Sequence, residues 1–162
     1  MLEDPISKLS EKDLILFQRY EEKRGKLQYL YRYLFHHPAL IEKVESLGSF
    51  LRFEGILPKE IVSFIAALIA KRFSSSSVFK THIEKLSKEL KGQIEKNAPI
   101  EISPFKEIEI LLDQYLKKEV ISDEIASVVI ENFGIKGYLE LVMLCSFYQM
   151  LIYANAALGL DP

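Results

Sequence analysis

The sequence predicts an all-α, single-domain helical bundle of about seven to eight helices. Three observations predict it. Apolar residues recur at spacings of three and four through most of the chain. The 7 glycines and 6 prolines are few, and several stand where a helix would begin or end. Residues 61–70 are almost wholly apolar, which suits a helix surrounded by others.

Composition supports a packed core. Hydrophobic residues make up 49% of the 162 and charged residues 27%, a globular rather than a disordered balance. A chain of this length buries roughly 70% of its unfolded surface. The net charge of -2 offers no basic excess for a phosphate backbone, so nucleic acid is not an expected partner. The single cysteine, Cys145, excludes an intramolecular disulfide and a cysteine-only metal site. Residues 1–5 show no basic region followed by an apolar run, so no signal peptide is expected and the cytoplasm is the default compartment.

The elements follow in order. Ser10 with Asp13 three residues on marks a helix start, with Leu14, Ile15 and Phe17 as its apolar stripe and Gly25 as its end. Residues 26–36 form a second helix through Leu27, Leu30, Tyr31 and Leu34. Pro38 suits the first turn of a third, because its missing amide hydrogen would have no partner there anyway. That helix is expected to bury Leu40, Ile41, Val44, Leu47 and Leu51, ending near Gly55. Pro58 opens the central apolar helix by the same logic. Four serines, Ser74 to Ser77, then lead into an amphipathic helix over residues 78–91, with Phe79, Ile83, Leu86 and Leu90 on one face. Residues 92–103 read as a loop or lid. Ser103 and Pro104 begin a helix carrying Ile108, Leu111, Leu112, Tyr115 and Leu116. Ser122, Asp123 and Glu124 begin another, with acidic side chains at the positive helix end and Gly134 as its stop. The last helix, about residues 136–158, carries no charge from Leu141 to Leu160. Ser146, Gln149 and Asn155 interrupt the run and no Lys or Arg stands near its end, so a buried or subunit-facing helix is expected rather than a membrane anchor. The central and final helices need more cover than one small subunit supplies, which predicts self-association.

Candidate chemistry centres on His82. Its spacing from Phe79 and Leu86 turns it toward the apolar face. An imidazole titrates near pH 6.5, so this one is either a hydrogen-bonded core histidine or a general acid or base. The serines could offer a hydroxyl at a helix N-terminus, where amide donors favour an oxyanion, or serve as caps. His36 and His37 point about 100° apart on a helix and so cannot share a metal; no metal or cofactor site is expected. Tyr29, Tyr31 and Tyr33 read as core and interface aromatics rather than base-stacking groups. Cys145, among Met143, Leu144 and Phe147, reads as a small buried apolar side chain.

Three stretches together resemble the carboxymuconolactone decarboxylase family, which includes the alkylhydroperoxidase D-like proteins. They are residues 36–41, beginning with His36, His37 and Pro38; residues 57–82, from Leu57 and Pro58 to His82; and residues 140–159, from Glu140 through Cys145 and Asn155 to Gly159. The resemblance implies an all-helical subunit, with an extension over about residues 1–35 and a core over about 36–160, assembled as trimers or hexamers. Its peroxidase-like members use a glutamate, a Cys-x-x-Cys pair and a histidine. Here the histidine position is His82, the cysteine positions are Ser75 and Val78, and the glutamate position is Ser63. A dithiol cycle needs an attacking thiolate and a resolving thiol, and neither is present. The expectation is therefore a binding or structural homologue with a pocket formed by His82, Ser63, Ser75, Val78 and Phe79. The alternatives are a cofactor-free decarboxylase or lactone-type enzyme using His82, and thiol chemistry by Cys145 alone. A small anionic or carbonyl ligand is implied.

Overall fold

The structure is a computed structural model that describes residues 3–25 and 27–160. Among the described residues it has eight α-helices and no strand. A short 3-10 turn, Pro5–Lys8, precedes α1, Glu11–Arg24. There follow α2, Tyr29–Leu34; α3, Pro38–Ser49; α4, Lys59–Arg72; α5, Ser76–Ile83; α6, Lys88–Glu95; α7, Phe105–Leu116; and α8, Asp123–Ala157.

Several starts obey local rules. The Ser10 hydroxyl accepts the Asp13 amide hydrogen at 3.2 Å and caps α1. Pro38 occupies the first turn of α3, and His37 caps it by accepting the Leu40 amide hydrogen on Nδ1 at 3.3 Å. Gly134 adopts φ 68° and ψ 172°, a left-handed conformation open to glycine, and so divides α8 into two helical segments. The expected stop is present, but the chain re-enters a helix at once. Pro104 immediately precedes α7 rather than lying in its first turn, and no side chain caps that helix.

The core is built on α4. Every residue from position 61 to 70 is buried, and the helix packs against α5, α7 and α8. One hydrophobic cluster runs from Phe17 to Ile152. Phe64 of α4 meets Phe105 of α7 edge-to-face, with ring centroids 5.0 Å apart. Full burial of Ile65 and Ile69 contributes about 1.5–3 kcal/mol each.

Three expectations need correction. The amphipathic run over residues 78–91 is not one helix. It breaks after Ile83, where Leu86 N–H reaches back to the Ile83 carbonyl at 3.3 Å and the Ser87 N–H is taken by Glu60 of α4 at 2.9 Å. A tertiary hydrogen bond thus ends a pattern that the sequence carries through, and α6 extends past Gly92 into the expected loop. The second helix is also shorter than the range from 26 to 36, and Lys26 lies outside the described residues. Leu14 and Ile15 of α1 are exposed while Phe17 and Tyr20 are buried; in α3, Leu40 and Leu47 are exposed while Ile41 is fully covered. Helical spacing gave a stripe in each, and packing turned a neighbouring face of the same helix inward. The third helical run does end at Gly55 as expected, its last turn, Phe50–Glu54, being π-helical and closed by the Gly55 N–H on the Phe50 carbonyl at 2.7 Å.

Among the described residues no helix is long and apolar enough to cross a membrane.

Candidate ligand cavity

A cavity of about 490 Å³ opens between α2, the π-turn, α4, α5 and α8. Each wall follows from an element already described. Enclosed α4 supplies Val62 and Ser63. The two turns of α5 supply Val78, Thr81 and His82, spaced to share one face. The last turns of α8 supply Tyr148, Leu151 and Asn155, and the π-turn supplies Arg52.

His82 is 7% exposed. Its Nε2 lies 3.1 Å from the Tyr148 hydroxyl, and the two rings meet edge-to-face at 5.2 Å. Its Nδ1 is buried without a hydrogen-bond partner. Whichever nitrogen holds the proton of the neutral ring, Nδ1 goes unused, as a donor in one tautomer and as an acceptor in the other. Burial pushes the imidazole down to about 3, helped by the positive charges of Lys85 and Arg52. His82 is therefore neutral across the physiological range.

The cavity's charge is one-sided. Lys23, Arg52, Lys59 and Lys85 line it, and among the described residues none that lines it is acidic. Lys23 is already engaged: it donates to Ser49 at 2.8 Å and lies 3.9 Å from Glu45 and 4.0 Å from Glu54. Burial and the nearby Arg52 lower Lys85 from its ordinary value. Arg52 donates from Nε to the Gly48 carbonyl at 2.8 Å and from Nη2 to the Tyr31 hydroxyl at 3.2 Å.

The sequence-derived residues divide. Ser63 and Val78 line the cavity with His82, whereas Ser75 and Phe79 do not. They border a separate, more open hollow with Lys71, Ser74 and Glu95. Ser75 is buried at the start of α5, two turns from His82, with its hydroxyl unpartnered. Phe79 sits one residue past Val78, and that step rotates it about 100° off the cavity face. His36 and His37 have separate duties: His36 Nε2 lies 2.8 Å from the Glu3 carbonyl oxygen, and His37 caps α3. Cys145 is fully buried, and burial pushes its thiol up to about 12.

Sequence reading missed Arg52, Tyr148, Lys85 and Asn155. One signal pointed at Arg52: a lone cation between Leu51 and Phe53 in an otherwise apolar stretch. Nothing in the sequence singled out Tyr148, which lies 66 residues from His82.

The site thus defines an all-helical protein with a cationic, partly apolar cavity around a neutral histidine. Compared with models of known families and with characterised proteins, the sequence matches none of either.

Proposed function

We propose that this protein is a divergent member of the carboxymuconolactone decarboxylase family that binds a small organic molecule in the His82 cavity and has lost the family's dithiol chemistry. The observation that carries the reading is the cavity itself, with apolar walls, a few converging polar groups and room for a small ligand. The positions that would hold the two thiols are Ser75 and Val78, and Cys145 is buried with a raised pKa.

Binding is favoured over acid-base catalysis on a magnitude. A group with a pKa of about 3 is protonated in roughly one molecule in 10⁴ at pH 7, and it is also a weak base there. Such an imidazole serves better as a neutral hydrogen-bonding wall than as a proton carrier.

Thr81 tests the reading, because it is exposed and lines the cavity, so a large side chain there closes the mouth without entering the core. Differential scanning fluorimetry with small carboxylic acids and lactones should show stabilisation of the wild type. Thr81→Trp should keep its ligand-free melting temperature and lose the response. A wild type that no such compound stabilises, or a Thr81→Trp variant that responds as well, counts against the reading.

The proposal includes self-association through α8. Ile135, Leu139, Met143, Met150 and Tyr153 stand 43–58% exposed along one side of that helix. Counting half-buried Ser146, every interval among them is three or four, which suits a second helix carrying the same repeat, and a second copy supplies one.

A further inference from the structure

Two cations on one cavity wall repel, and only one of this pair can give up its charge. Arg52 and Lys85 both line the cavity, and the fields of both act on His82. A guanidinium keeps its proton, so the lysine is the member that yields. Burial and the neighbouring Arg52 do lower Lys85 from its ordinary value. A lysine amine relieved of its proton has a free lone pair and becomes a nucleophile.

The fold keeps the pair together and leaves it uncompensated. Arg52 is fixed by its bonds to the Gly48 carbonyl and the Tyr31 hydroxyl. Its guanidinium carbon lies 5.5 Å from the Phe53 ring centroid and 5.8 Å from that of Phe147, faces that favour a cation. Gly48 makes the room: a β-carbon there would stand 2.8 Å from Arg52 Nη2. Lys85 stands in the turn that ends α5, where its N–H meets the His82 carbonyl at 3.1 Å. The carboxylates around that turn are engaged elsewhere: Glu84 pairs with Lys91, and Glu60 takes the Ser87 N–H at 2.9 Å. Among the described residues no carboxylate pairs with Lys85, whereas Lys23 on the same cavity has Glu45 and Glu54. Lys85 is also exposed, so an entering molecule can reach it, while Val62, Val78 and Leu151 offer that molecule an apolar wall.

We propose that Lys85 is a nucleophilic amine that holds a small apolar aldehyde or ketone in this cavity as a covalent imine. Lys85 thereby adds a bond and a reacting atom to the binding reading above, on whose cavity this assignment rests. The Nζ lone pair bonds to the carbonyl carbon as the C=O π pair moves to oxygen. One amine proton passes to that oxygen and gives a carbinolamine. The hydroxyl leaves with the second amine proton as water, and the nitrogen lone pair closes the C=N bond. Nothing is oxidised or reduced, and water restores the free amine. The other titratable or charged groups lining the cavity are Lys23 of α1, Tyr31 of α2, Arg52 of the π-turn, Lys59 of α4, His82 of α5 and Tyr148 of α8, and none is a carboxylate.

The test incubates the full-length protein with benzaldehyde and sodium cyanoborohydride, which reduces an imine to a stable benzylamine, and locates the labelled lysines by peptide mass mapping. Exposed Lys117 is the internal reference. At pH 7 Lys85 should be labelled at least about 10-fold faster than Lys117, and the ratio should shrink as pH rises to about 10, where the reference amine also loses its proton. Thr81→Trp, which fills the mouth, should bring Lys85 down to the rate of Lys117. Arg52→Gln should lower the ratio at pH 7 at least about threefold, because the repelling charge is gone. Far-UV circular dichroism checks that both variants are folded. Labelling of Lys85 no faster than Lys117 in the wild type overturns the imine and leaves the cavity reading to the fluorimetry described above. Fast labelling that survives Thr81→Trp makes Lys85 a reactive surface amine and overturns the cavity's part. A ratio unchanged in folded Arg52→Gln overturns the activation by Arg52, and fast labelling of Lys59 in place of Lys85 overturns the assignment.

Discussion

His82 makes the protein's stability depend on pH in a calculable way. In the folded chain its pKa is lowered to about 3, while an unfolded histidine titrates near 6.5. Below pH 6.5 the unfolded state therefore takes up a proton that the folded state refuses. The stabilisation is complete above pH 6.5 and is lost as pH falls toward 3. At pH 4.5, two units into that window, the linkage amounts to about 2–3 kcal/mol, at about 1.4 kcal/mol per unit. Urea unfolding followed by circular dichroism at pH 7 and pH 4.5 measures it. His82→Gln is the reference, since it keeps a polar side chain facing Tyr148 and cannot titrate. Asp4, lowered chiefly by its hydrogen bonds and charge pairing with Arg32 against an opposing burial effect, also sheds stability in acid, but it does so in both proteins and cancels. Wild type should lose about 2–3 kcal/mol more than His82→Gln between the two pH values. Equal losses would mean that the imidazole is protonated in the fold, and the neutral-wall account of the cavity would fail.

Three other outcomes follow from the same geometry. Tyr148→Phe removes the hydroxyl at His82 Nε2 and leaves the buried ring with neither nitrogen paired, costing about 1–3 kcal/mol in urea unfolding; a loss under about 0.5 kcal/mol would show that the hydrogen bond does not matter. Cys145, fully covered and with a raised pKa, should resist iodoacetamide in the native protein and react on denaturation; labelling within minutes at pH 7.5 would contradict its burial. Met143→Glu and Met150→Glu together place charges on the exposed side of α8, so light scattering should show an oligomer for the wild type and a monomer for the variant; a monomeric wild type, or an oligomer that survives both changes, sinks the α8 interface.

The sequence alone determined the helical content, the enclosure of α4 and the inward turn of His82. These depend on local regularities, namely apolar spacing along one helix, caps at its start and the conformational limits of proline and glycine. Residues 61–70 could hardly do anything but lie inside, since they offer no polar face to water. Gly134 marked a break because its backbone needs positive φ, and the structure has that break. The tertiary structure decided which side chains meet. Ser75 and Phe79 share a helix segment with His82 yet border another hollow, because one residue of rotation moves a side chain by about 100°. The break between α5 and α6 came from Glu60, a residue on another helix. Arg52 entered the cavity through a π-turn, and Tyr148 reached His82 only through the way α5 and α8 both pack on α4. Helix crossings and rotations are set by the packing of the whole core at once, so the chemistry of a cavity between helices is written in no single one of them.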